Sequence, residues 1–298
     1  MNNETSNHRL PYFVIIGAMK SATSSLYQQL VRQQGIFMCT PKEPNFFSDD
    51  KQYAKGMAWY SGLFANAPEG SLLGEASTHY TKLPTHPNTV VRLKKYLPSA
   101  RLVYVMRHPV DRLVSHYIHE WSTGIYHCSI DEAVNKYPEL IAYGRYAMQL
   151  EPYFEAFGRD AVLPVFFDHM VREPQAELER ICQFIGYKGQ PVWVKDMKPD
   201  NVSSERIRKF PFYELLVKSG PATLLRRHFI PQALRDAVKK KLRMRNRPEI
   251  CVEIRSRLEA EFDRDLAQLG KWLGICIDCQ NFKHVTSAAS LEWIFPDD

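Results

Sequence analysis

Lys20 is the first residue in this chain whose type and setting suit chemistry. It follows Gly17 by three positions and opens a run of small and hydroxylated residues, Ser21, Ala22, Thr23, Ser24 and Ser25. A turn made of such residues exposes unpaired backbone N–H groups and lets an anion approach the main chain. The helix that follows adds partial positive charge, Lys20 a mobile full charge, and the hydroxyls further donors. The chemistry implied is the holding of a phosphate or a similar oxyanion. A second candidate lies in Arg107-His108-Pro109-Val110-Asp111-Arg112-Leu113-Val114-Ser115. Arg107 offers paired donors to an oxyanion, and Ser115, nearly two helical turns on, adds a hydroxyl.

Both candidates need strands to carry them and helices to receive them. Residues 12–16 form an apolar run rich in β-branched and aromatic types, as in a buried strand. From Leu26 the spacing turns helical, with Leu26, Leu30 and Val31 on one face. Residues 101–106 read as a strong strand, and Pro109 suits the first turn of a helix. Arg107 thus stands at a strand's C-terminal end, where open α/β sheets bind ligands. Further strands are expected at 36–40 and 161–167. Helices are expected at 52–64, 89–97, 139–157, 174–185 (closed by Gly186) and 250–273. In the last, Ile250, Ile254, Leu258, Phe262, Leu266, Leu269 and Leu273 share one stripe, the mark of a packing helix. The alternation predicts an α/β fold with a central parallel sheet between helical layers, a three-layer sandwich, and a mostly helical C-terminal part over 191–298. We expect one domain over 1–298 with its core at about 12–190.

The spacing Gly17-x-x-Lys20-Ser21-x-Thr23-Ser24 is not that of a nucleoside triphosphatase P-loop, which places its lysine six residues after the first glycine, behind a second one. It resembles the 5′-phosphosulfate loop of sulfotransferases that use 3′-phosphoadenosine 5′-phosphosulfate (PAPS). Their usual loop has glycine where this chain has Ala22. The pattern R-x-P-x-x-R-x-x-S from Arg107 to Ser115 resembles the 3′-phosphate motif of the same family. Lys42-Glu43-Pro44-Asn45-Phe46-Phe47 resembles a K-E-x-x-F-F stretch of the heparan sulfate-type and bacterial branch. Glu75-Ala76-Ser77-Thr78-His79-Tyr80 resembles its E-K-S/T-x-x-Y stretch, with Ala76 in the lysine's place. The resemblance spans roughly residues 12–190 and implies a P-loop-like fold and PAPS as co-substrate. It implies Lys20, Ser21, Ala22, Thr23, Ser24, Arg107, Ser115 and Arg206 in cofactor binding, Lys20 and Lys42 at the reaction centre, and Glu75 as general base. His116, His119 and His79 are rival bases. Tyr143, Arg145 and Tyr146 stand where related enzymes place residues near substrate or adenosine, although an aromatic stripe also suits a core. Phe46 and Phe47 suit core anchors.

The 298 residues are 45% hydrophobic, enough for a sizeable core. The polar N-terminus lacks an apolar leader segment and no apolar run is long enough for a membrane span, so a cytoplasmic enzyme is expected. Six scattered cysteines suit a reducing compartment, and the lone Cys276-x-x-Cys279 pair does not make a zinc site. No metal site is expected. Residues 226–247 hold nine Lys or Arg and one acid, Asp236. They read as a solvated helix face or as a surface for an acidic partner, such as an anionic glycan or lipid headgroup. No aromatic interleaving points to nucleic acid. The function expected is sulfuryl transfer from PAPS to a hydroxyl or amine of a carbohydrate or small natural product. The rivals are a P-loop nucleotide kinase and a non-catalytic binder of anionic glycans or membranes.

Overall fold

A computed structural model describes residues 9–195 and 247–294. Five parallel strands form one sheet in the order β2-β3-β1-β4-β5. They are β1 (Phe13–Gly17), β2 (Ile36–Met38), β3 (Leu72–Ala76), β4 (Arg101–Met106) and β5 (Val162–Phe166). β1 is central, with Phe13 level with Gly74 on one side and Arg101 on the other. Every residue of β1 and β5 is buried, as expected of strands covered on both faces.

The period-two alternation splits the strands between two cores. Phe13, Ile15, Val103, Val105, Leu163 and Val165 pack with α1 (Thr23–Val31), α9 (Phe167–Arg172) and α10 (Pro174–Phe184). Val14, Ile16, Leu102, Tyr104, Met106 and Phe166 face the opposite layer. That layer holds α2 (Asp50–Tyr53), α3 (Gly56–Gly62), α4 (Thr89–Tyr96), α5 (Pro109–Thr123), α6 (Ile130–Lys136), α7 (Glu139–Ala142) and α8 (Tyr146–Phe157). α11 (Val252–Leu273) and α12 (Phe282–Ala288) follow. The three-layer α/β sandwich and the helical C-terminal part are both present. Leu258, Phe262, Leu266 and Leu269 of α11 are at most 1% exposed, each worth roughly 1.5–3 kcal/mol of apolar burial. Among the described residues no helix is long and apolar enough to cross a membrane.

Two expected helices are each divided. Residues 52–64 become α2 and α3, parted at Gly56, whose φ of 81° is left-handed. Residues 139–157 become α7 and α8, parted at Gly144. A side chain there would press on Arg112 and on the Phe262 ring of α11. The Asp265 carboxylate of α11 accepts from Ala147 N–H at 2.9 Å and Met148 N–H at 3.0 Å, so it caps the start of α8 from outside. The tail also docks: Trp293 donates its indole N–H to the Val162 carbonyl at 2.7 Å.

The sheet's topology makes one crevice. α1 leaves β1 toward one face and α5 leaves the adjacent β4 toward the other. Neighbouring strands whose connections diverge leave an opening at their C-terminal ends. Gly17 and Arg107 stand at that opening.

Candidate active site

The loop after β1 is held by its own glycine. A Cβ on Gly17 would run into the Thr81 hydroxyl and the Tyr104 ring, and Thr81 donates to the Ile16 carbonyl at 2.8 Å. Ala18 N–H reaches the Val105 carbonyl at 2.8 Å, so β4 grips the loop's root. Lys20 and Ala22 are left-handed, with φ of 72° and 67°, and Ser21 lies between them. Alternation of hand along a turn gathers successive N–H groups on one concave side. Ser21 is fully buried and its Oγ finds no hydrogen-bond partner of good geometry. The nearby phenol of Tyr146 is committed elsewhere, accepting from Arg107 N–H at 3.2 Å and donating to the Arg107 carbonyl. An orphan hydroxyl in a left-handed turn at a helix start fits a bound oxyanion. Thr23 and Ser24 begin α1.

Arg107 turns toward the same loop. Its guanidinium lies 3.5 Å from the Lys20 carbonyl oxygen and 4.7 Å over the Phe167 ring. Burial lowers its pKa from the usual arginine value, and a guanidinium stays charged in proteins. The two anion-holding candidates are thus brought together, on neighbouring strand ends. Tyr146 fixes the backbone of one of them from α8. Its aromatic stripe suggested core packing, and its clamp on Arg107 is a role that spacing alone does not reveal. Ser115 is buried on α5. Arg206 lies outside the described residues, as does all of 226–247 except Arg247, which pairs with Asp111 at 3.0 Å.

Glu75 occupies the penultimate position of β3 and is 0% exposed. Ser77 donates to one of its oxygens at 2.6 Å and Tyr60 donates to the other. Burial raises its pKa, against the stabilising hydroxyls of Ser77, Tyr60 and Tyr80. Phe46 and Phe47, 1% and 0% exposed, wall this pocket as core anchors, with Phe46 stacked 4.6 Å from Tyr60. Ser77 Oγ also accepts from Asn45 N–H at 3.1 Å, which ties Glu75 to the loop that carries Lys42. Lys42 pairs with Glu43 at 2.7 Å, and Thr78 donates to Glu43 at 3.3 Å. Burial tends to raise the Glu43 pKa. The ammonium of Lys42, the charge of Lys82 and His79 together overcome it, so the value falls and Glu43 is ionised.

His116 and His79 are held neutral. Burial, then the charges of Arg112, Lys82 and Lys20, pushes His116 well below its usual pKa, and its Nε2 lies 3.5 Å from Glu120. Burial, then Lys82 and His86, lowers His79 to about 4. His119 sits on the same helix as His116, half-buried. Tyr143 is a core residue stacked on His116 at 5.6 Å. Arg145 lies at the break before α8. The thiols of Cys276 and Cys279 are free, the first exposed and the second buried.

Residues 58–191 match the model of the sulfotransferase family. Over that stretch the chain is similar to the sulfotransferase family. It is 28% identical over 194 residues to mouse heparan sulfate glucosamine 3-O-sulfotransferase 3A1, across 62% of this chain and 48% of that protein. It is 36% identical over 111 residues to the membrane-associated sulfotransferase kil1 of Dictyostelium discoideum, across 36% of this chain and 22% of that protein. The chain therefore spans about half the length, or less, of these curated relatives. The solved sulfotransferase of Alicyclobacillus acidocaldarius superposes with a TM-score of 0.63 at 25% identity, over 90% of this chain and 98% of that one.

Proposed function

We propose that this chain transfers the sulfuryl group of PAPS to a hydroxyl or amine of an acceptor, a carbohydrate or small natural product. The observation that carries the reading is the convergence of Arg107 on the Lys20 loop at the crevice between β1 and β4. Two separate anion-holding sites at one sheet edge suit a nucleotide charged at both ends. When bound, PAPS supplies an activated sulfuryl group on a phosphate leaving group. Sulfuryl transfer resembles phosphoryl transfer, in which placement and charge stabilisation dominate.

Each residue then has one task. The turn formed by Lys20, Ser21, Ala22, Thr23 and Ser24 holds the 5′ end through backbone and hydroxyl donors. The Lys20 ammonium steadies charge that develops on the departing oxygen. Arg107 and Ser115 hold the 3′-phosphate, with Arg206 as a further contact. Lys42, kept in place by Glu43, faces the sulfonate oxygens. Glu75 takes the acceptor's proton, its raised pKa making it a stronger base than an exposed carboxylate. Relatives named for heparan sulfate glucosamine favour a carbohydrate acceptor. A cytoplasmic location is part of the same reading, with residues 226–247 as a contact for an acidic surface.

The reading is tested by incubating the protein with sulfur-labelled PAPS and a panel of neutral, acidic and amino sugars. Label appearing in an acceptor, with release of 3′-phosphoadenosine 5′-phosphate (PAP), is expected. Magnesium-dependent phosphate transfer from ATP under the same conditions would establish the kinase instead.

A further inference from the structure

His108 stands where two distant parts of the chain meet. It directly follows Arg107, is only 8% exposed, and serves as the N-cap of α5. Its ring makes two hydrogen bonds of opposite sense. Nδ1 accepts from the Asp111 N–H at 3.4 Å, inside the first turn of α5. Nε2 lies 2.9 Å from the Cys279 carbonyl oxygen, which can only accept. The two bonds together require the neutral ring with its proton on Nε2. Burial favours that form, lowering the pKa against the pull of the Cys279 carbonyl and Asp111. A cap alone would need only an acceptor, which asparagine, aspartate or serine supplies with a shorter side chain. The imidazole reaches in both directions.

Its outer partner belongs to the C-terminal part. The Cys279 N–H donates to Asp263 of α11 at 2.7 Å, so the peptide that meets His108 is itself anchored. Phe282, the buried first residue of α12, meets the His108 ring edge-on at 5.8 Å. Lys283 pairs with Asp111 at 2.6 Å, but its side chain is 58% exposed and such a pair contributes little alone. The buried imidazole therefore carries the link. On the inner side, Tyr146 already holds the N–H and carbonyl of Arg107 from α8. From this geometry we infer that His108 is a positioning residue for the nucleotide: it ties residues 279–283 to the start of α5 so that the Arg107 guanidinium meets the 3′-phosphate. The inference rests on the sulfuryl-transfer reading. It gives the Cys276-x-x-Cys279 stretch a task in which Cys279 contributes its carbonyl rather than its thiol.

The test is calorimetric titration of PAP, and of adenosine 5′-phosphate lacking the 3′-phosphate, into the full chain and three variants. The quantity read is the ratio of the two affinities, which a merely structural loss would leave alone. His108→Gln keeps an oxygen to accept from Asp111 and an N–H to donate to Cys279, so its ratio stays near that of the wild type. His108→Asn keeps the cap but loses the reach to Cys279, and its ratio falls roughly fivefold or more, as for other coupled parts of a protein. His108→Ala loses both bonds and falls at least as far; should it fail to fold, the glutamine and asparagine variants decide. A wild-type ratio in His108→Asn, or a ratio in His108→Gln as low as that of His108→Asn, overturns the inference alone. A wild type that binds neither nucleotide, or binds the two equally, overturns the inference together with the two-ended grip behind the sulfuryl-transfer reading, and that titration comes first.

Discussion

Ala22 is held at φ 67° and ψ 21°, a left-handed conformation that a Cβ penalises. Glycine takes it freely, which is a physical reason for glycine at this position in the resembling loops. Ala22→Gly is therefore expected to raise stability by roughly 0.5–1 kcal/mol, the relief of strain exceeding the added freedom of the unfolded chain. A urea-unfolding midpoint checks it, and a lowered midpoint would show that the methyl group contributes packing instead. Two carboxylates compete for the proton at the neighbouring turn. Glu75 is enclosed with a raised pKa, whereas the Glu43 side chain is a third exposed but committed to Lys42. Glu75→Gln should lower turnover by roughly 10²–10⁴-fold while PAP still binds. Glu43→Gln should mainly loosen Lys42 and cost less. The reverse order in steady-state rates would transfer the base to Glu43.

At the scale of elements, the site depends on a contact between parts far apart in sequence. Asp265 of α11 caps α8, and Tyr146, the first residue of α8, clamps the Arg107 backbone. Asp265→Ala should cost about 1–2 kcal/mol of stability, the worth of a lost cap. It should also weaken PAP binding a few-fold through Arg107, measured by melting and by titration. A stability loss with PAP affinity intact would sever the two effects. The same chain of contacts explains what was legible in the sequence. The β1 loop, β4 and Pro109 were readable because hydrophobic period and turn residues are local signals. The break at Gly144 was not, because it is set by Arg112 and by Phe262 of α11. The enclosure of Glu75 was equally hidden, since Tyr60 and Phe46 close over it only in three dimensions. Lys82 sat in a loop, where a lysine ordinarily meets water, and nothing in its spacing marked it as interior. Arg206 and most of 226–247 lie outside the described residues, so those sequence readings stand as proposals.

For the whole molecule, burial sets a pH response. His79 is lowered to about 4, and His86, His108 and His116 are also lowered, each chiefly by burial. The unfolded chain takes up protons near pH 6.5 while the folded histidines resist, so stability falls as pH drops from about 6.5 toward 4. Glu75, Asp168 and Asp265 have the opposite sign, because their folded carboxyls hold a proton at higher pH than the unfolded ones, but they are three groups against four. Unfolding midpoints across this window should decline on acidification, and His79→Gln should flatten the slope. An unchanged slope would mean that His79 is protonated in the fold.

The central claim is that Lys20 and Arg107 grip opposite ends of one nucleotide, and the most direct measurement is calorimetric titration of PAP, and of adenosine 5′-phosphate lacking the 3′-phosphate, into wild type, Lys20→Ala and Arg107→Ala. The account predicts one PAP site, weakened at least tenfold by either substitution. It predicts too that Arg107→Ala loses most of the wild-type preference for the 3′-phosphorylated nucleotide, while Lys20→Ala retains it. No PAP binding by the wild type, or an Arg107→Ala protein that still distinguishes the two nucleotides as the wild type does, would contradict it.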